Sequence, residues 1–178
     1  MIDLLQQSCT EAFPSRNRRT LPTDGEFIVQ AVTPIEPGLE YVVTVTLIVS
    51  DVTRSTAFYR DVLGAEVLSV GEPSVGKPAL LRLGNIWLTI NVGGGPTDDK
   101  PEVVATPPRR PNELTFFMNL RVTDINRFYE RCRARGAAFI TEPKTHTREL
   151  RCYMRDPDGY LIEVGQTTST KTPLEMYG

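Results

Sequence analysis

The sequence predicts an α+β protein built from two tandem β-α-β-β-β modules that form a cupped, barrel-like mixed sheet behind an N-terminal extension. Three observations carry this. Apolar residues alternate at period two from Tyr41 onward, an amphipathic helical stripe interrupts the alternation twice, and the order of elements after the first helix recurs after the second. In both halves an Asp (Asp51, Asp124) opens the helix and a Gly-Ala pair (64–65, 136–137) closes it.

In the first module, YVVTVTLIV sends Val45, Leu47 and Val49 to one side and Thr44, Thr46 and Ile48 to the other. Ser50 and Asp51 offer an N-cap, and Phe58, Tyr59, Val62 and Leu63 make the helical stripe. AEVLSV then reads as a strand, and PALLRLGNIWLTINV as two strands around a turn at Gly84 and Asn85. The Gly/Pro-rich run GGGPTDDKPEVVATPPRRP breaks the pattern. In the second module, LTFFMNLRV is a strand, and Ile125, Phe128, Tyr129 and Cys132 form the stripe. AAFIT, ELRCYMR and GYLIEVG follow as strands, with RDPDG as a tight turn. The expected organisation is an extension over 1–40 and a domain over 41–178, with modules at about 41–92 and 113–166 and a linker at 93–112. Within the extension, only Phe27 to Val32 reads as a strand.

The chain has 178 residues and a formal net charge of −2, so no basic excess invites nucleic acid. No apolar run approaches the roughly 20 residues of a membrane span, and MIDLLQQSCTEAF lacks the n- and h-regions of a signal peptide. The expectation is a cytoplasmic protein with neither a nucleic-acid nor a membrane partner. Cys9, Cys132 and Cys152 are odd in number and scattered, which predicts free thiols. GEPSVGKP nearly spells a phosphate-binding loop, but Pro78 stands where Ser or Thr is needed and ALLRL continues as strand, so it reads as a hairpin loop.

The stretches V-S-D-x-x-R-S-x-x-F-Y-R-D-V-L-G-A at 49–65 and R-D-P-D-G-Y-L-I-E-V at 155–164 resemble the signatures of the glyoxalase/bleomycin-resistance/extradiol-dioxygenase (vicinal oxygen chelate) superfamily. The resemblance spans about residues 42–166. It implies the paired-module fold and a homodimer, but not one reaction: such proteins include isomerases, epimerases, lyases, dioxygenases, thiol transferases and non-catalytic drug-binding proteins. In its metal-dependent members, His, Gln or Glu from the first and last strands of each module hold the cation. The resemblance places those positions at Thr44, Thr89, Phe117 and Glu163. Of these, only Glu163 is a credible ligand, so no cofactor is expected by default, with a divalent metal as the alternative.

Strand parity puts Trp87, Thr89 and Asn91 on the pocket side of one module, and Phe117, Asn119, Arg121, Arg151, Tyr153 and Glu163 on that of the other. The first reading is a small-molecule binding protein in which these residues and Thr44 line the site, with aromatic rings stacking the ligand and the arginines or Glu163 orienting it. Glu163 is also the candidate catalytic base, or simply a fold residue salt-bridged to an Arg. The alternative is a divalent-metal lyase, isomerase or dioxygenase with ligands Glu163, His146 and Glu149. His146, the one histidine, otherwise reads as an exposed loop residue.

Overall fold

The computed structural model of the chain describes residues 43–168. The strand-like stretch at 27–32, the rest of the extension and Cys9 lie outside them. The first module runs β1 (Thr44–Val49), α1 (Val52–Asp61), β2 (Glu66–Ser69), β3 (Ala79–Leu83) and β4 (Ile86–Val92). The second runs β5 (Met118–Arg121), α2 (Ile125–Ala134), β6 (Ala138–Phe139), β7 (Lys144–Thr145), β8 (Glu149–Arg155) and β9 (Leu161–Thr167). Each module makes its own mixed sheet, in the order β1-β4-β3-β2 and β5-β9-β8-β6, with β7 added alongside β8. In both, the first and last strands pair in parallel, with the helix and the strands between them forming the crossover.

The expected parity holds. Leu47, Val49, Leu88 and Ile90 are buried under α1 with Tyr59 and Val52, while Met118, Cys152, Met154, Ile162 and Val164 are buried with Ile125 and Cys132 of α2. Each fully buried aliphatic side chain contributes about 1.5–3 kcal/mol. The helices begin where their caps dictate: Asp51 accepts from Arg54 N at 3.0 Å, and Asp124 from Arg127 N at 2.9 Å. Past their ends, Gly64 and Gly136 adopt φ of 82° and 88°, which a side chain would oppose.

Three elements differ from expectation. The strand foreseen over LTFFMNLRV is confined to Met118–Arg121, because its parallel partner β9 begins only at Leu161, next to the turn, and residues upstream find no ladder. Phe116, which the alternation would place on the same side as Met118, is 47% exposed. AAFIT shortens to Ala138–Phe139 because Ile140 N and Thr141 N both converge on the Tyr153 carbonyl, at 2.7 and 3.5 Å, and end the regular pairing. The two-residue strand β7 was too short to leave a periodic signal. The 71–78 segment is the expected hairpin loop, closed by Glu72 N donating to Lys77 O at 2.8 Å around a 3₁₀ turn at Pro73–Val75.

The 155–160 turn of the second module seats on the β1–α1 junction of the first. Asp158 accepts from Ser50 N (2.8 Å), Ser50 Oγ (2.6 Å) and Ser55 Oγ (2.9 Å), with Arg54 Nη2 at 3.4 Å. Asp156 accepts from Tyr59 OH at 3.0 Å and from the backbone of Asp158 and Tyr160. Tyr160 OH bridges the amide and carbonyl of Ile48, at 3.2 and 3.0 Å. Ser50, foreseen as a possible N-cap, thus serves the junction and leaves capping to Asp51. The two segments that carried the family resemblance therefore bind each other.

Candidate functional site

On the face of the second sheet opposite α2, β9 lies between β5 and β8, so the pairs Asn119↔Glu163 and Tyr153↔Glu163 bring three polar side chains together. Glu163 is 6% exposed. Its carboxylate accepts from Asn119 Nδ2 at 2.6 Å through Oε1 and from Tyr153 OH at 2.6 Å through Oε2. A carboxylate only accepts, so it orients both neighbours: the amide turns its nitrogen inward and the phenol spends its proton on Glu163. Tyr153 is held above the usual phenol range by that hydrogen bond first, then by burial and the Glu163 charge, with the Arg151 guanidinium opposing.

Beside this trio, Glu149 sits between two guanidiniums. Arg121 Nη1 donates to Glu149 Oε2 at 2.7 Å and Nη2 to Thr167 Oγ1 at 2.7 Å. Arg151 Nε lies 3.0 Å from Glu149 Oε1, close enough to pair charges but not aligned as a hydrogen bond, so its buried N–H is left without an acceptor. Arg121 crosses directly over Gly165, whose missing side chain leaves room for the guanidinium. The sequence reading overlooked Gly165 and Thr167. A glycine inside a strand pattern was the available signal, since it marks a close approach.

The other candidates lie on the first sheet or at the edges. Thr44 pairs with Trp87, and Asn91 and Thr89 follow on the same half-buried face. Asn91 Oδ1 is engaged by its neighbour Val92 N at 2.9 Å. Phe117 precedes β5 and is 46% exposed. No hydrogen bond or ion pair among the described residues joins the Thr44, Trp87, Thr89 and Asn91 set to the Asn119, Arg121, Arg151, Tyr153 and Glu163 set. His146 is exposed in the β7–β8 hairpin, held through its backbone N–H to Glu149 O at 2.8 Å.

Of the four first- and last-strand positions, only Glu163 carries a side chain that commonly binds a divalent metal. Thr44, Thr89 and Phe117 bring no imidazole or carboxylate to the positions the fold offers, and both Glu163 oxygens are engaged by neutral donors. Among the described residues no three His, Cys, Asp or Glu side chains gather as a metal group, and Glu163, His146 and Glu149 do not converge into one. Cys132 and Cys152 are buried free thiols, and burial pushes both above the usual thiol range, Cys152 up to about 11.

The model of the Glyoxalase/Bleomycin resistance protein/Dioxygenase superfamily matches residues 41–164. The chain is 29% identical over 121 residues to the metallothiol transferase FosB of Shouchella clausii (strain KSM-K16), covering 67% of this chain and 75% of that protein. Its fold is similar to that of the fosfomycin resistance protein FosX of Listeria monocytogenes, with a TM-score of 0.55 and 18% identity over 77% of this chain and 98% of the other. It is similar also to TnmS3, an antibiotic binding protein of Streptomyces sp. CB03234, with a TM-score of 0.53 and 20% identity over 74% and 98% of the two chains. Two modules that each open with a strand and a helix, the mutually bound signature segments and a family match over most of the chain agree: this protein belongs to the glyoxalase/bleomycin resistance protein/dioxygenase superfamily.

Proposed function

We propose that the chain binds a small organic molecule on the cupped faces of its two sheets, without a resident metal. The observation that carries the reading is the Glu163 carboxylate, engaged at both oxygens by Asn119 and Tyr153, while Thr44, Thr89 and Phe117 stand at the other positions that the resemblance points to. Binding draws on the Trp87 and Phe117 rings for apolar contact, and on Arg121, Arg151 and Asn119 for orientation. Exposure of Thr44, Phe117, Asn119 and Arg121 on these faces supports a homodimer, in which a second copy covers them. No helix among the described residues is long and apolar enough to cross a membrane. A cytoplasmic location remains part of the reading.

A second reading is a divalent-metal enzyme of the same superfamily, favoured by the likeness to a metallothiol transferase over three-quarters of that protein's length. The sheet geometry then leaves Glu163 as the ligand, which would first have to release Asn119 and Tyr153. Elemental mass spectrometry of purified tag-free protein, after dialysis against manganese, nickel and zinc, separates the two. The first reading expects well under one equivalent in both the wild type and Glu163→Ala. Near-stoichiometric metal lost in Glu163→Ala overturns it. Thermal shift against flat drug-like compounds, with Arg151→Gln as control, then tests ligand binding itself.

A further inference from the structure

The linker that joins the modules builds a cavity whose lining includes none of the sheet-face residues just described. It is an open cavity of about 490 Å³ lined by Pro108, Leu114, Phe116 and Tyr160, with Arg109 and Arg110 among the lining residues. That volume falls in the range of small-molecule sites, roughly 300–1,000 Å³. Its frame is held from several sides: Glu113 N donates to Arg110 O at 2.9 Å, Arg155 Nη2 donates to Asn112 Oδ1 at 3.1 Å, and Gly94 and Ala105 pair as a bridge upstream. Tyr160 ties the floor to the module junction through Ile48.

The charges of the lining decide the ligand class. Arg110 is neutralised by Glu113, with Nη1 3.2 and 3.1 Å from the two carboxylate oxygens. Arg109 has no ion-pair partner among the described residues, so the lining carries one uncompensated positive charge beside apolar walls. Leu114 and Phe116 are 43% and 47% exposed, an apolar surface that the chain itself leaves uncovered.

We propose that this linker cavity is a binding site for an amphipathic aromatic monoanion, a carboxylate whose ring packs between Phe116 and Tyr160 while Arg109 takes the charge. The site is independent of the sheet-face site, and it would work whether or not that one holds a metal. A guanidinium–carboxylate contact in such a setting changes affinity by about tenfold.

The test is isothermal titration calorimetry of the full chain with naphthoate as probe, and with naphthamide as its neutral counterpart. The expected result is saturable naphthoate binding, weakened about tenfold in Arg109→Gln and in Phe116→Ala and unchanged in Arg133→Gln, an exposed arginine of α2, with naphthamide at least tenfold weaker than naphthoate in the wild type. Both variants sit at exposed positions, and circular dichroism confirms that they fold. No saturable binding to the wild type, equal affinity in Arg109→Gln and Phe116→Ala, or loss in Arg133→Gln instead would each overturn the proposal. The metal measurement above is untouched by any of these outcomes.

Discussion

Tyr59 in the first module donates a 3.0 Å hydrogen bond to Asp156 in the second, across 97 residues of chain, with both side chains buried. Helix α1 thereby reads the conformation of the β8–β9 turn. The same turn presents Asp158 to Ser50, Ser55 and Arg54.

Removing these groups should therefore loosen the junction in a graded way. Tyr59→Phe deletes one bond and leaves Asp156 its two backbone donors, at a cost of about 1–2 kcal/mol. Asp158→Ala strands the Ser50 amide and two hydroxyls at once and should cost about 3 kcal/mol. Urea midpoints read both. Equal midpoints for the wild type and Asp158→Ala would show that the turn does not hold the modules together.

Asp156 and Asp158 respond to pH in opposite directions. Burial raises Asp156 above the usual carboxylate range despite its hydrogen bonds. A raised folded-state pKa adds stability at low pH that is lost as pH rises through it, so neutral pH forces a buried charge. Asp156→Asn keeps the acceptor for Asp158 N and Tyr160 N without that charge. Its stability relative to wild type should improve between about pH 3 and pH 7, as followed by urea unfolding at each pH.

Burial also pushes Asp158 upward, but hydrogen bonds from Ser50 and Ser55 and the Arg54 charge outweigh it and hold the carboxyl below its usual range. The sign reverses here. Its contribution is present above the unfolded carboxylate pKa of about 4 and lost as pH falls through the folded value. Asp158→Asn should therefore lose less stability relative to wild type in acid than at neutral pH.

The titration of Tyr153 should report its hydrogen bond to Glu163. The bond from Tyr153 OH to Glu163 is the main reason the phenol is raised. In Glu163→Gln one of the six tyrosines should ionise at lower pH, visible as tyrosinate absorbance, and the change should vanish in a Tyr153→Phe background. An identical titration curve in Glu163→Gln would mean that the 2.6 Å contact is absent in solution.

The buried thiols should be silent in the folded protein. In a Cys9→Ser background, a thiol reagent should modify Cys132 and Cys152 only at the rate of global unfolding. Rapid labelling of either would place it on an accessible surface.

What the sequence determined alone was the periodic part of the molecule. Alternation along 44–49 and 149–155 set which side chains face the helices, because a strand cannot turn Leu47 inward without turning Thr46 outward. Asp51, Asp124, Gly64 and Gly136 marked the helix ends through chemistry local to each cap. Contacts made at a distance left no such mark. That RDPDG is a clamp as well as a turn depends on Ser50, Ser55 and Tyr59 arriving from the other module. That Glu163 is engaged by neutral donors instead of salt-bridged to an arginine depends on strand order, which places Asn119 and Tyr153 on either side of it and leaves Arg121 and Arg151 to Glu149. Parity is a property of one strand, whereas partnership is a property of which strands lie side by side, and only the tertiary structure decided that.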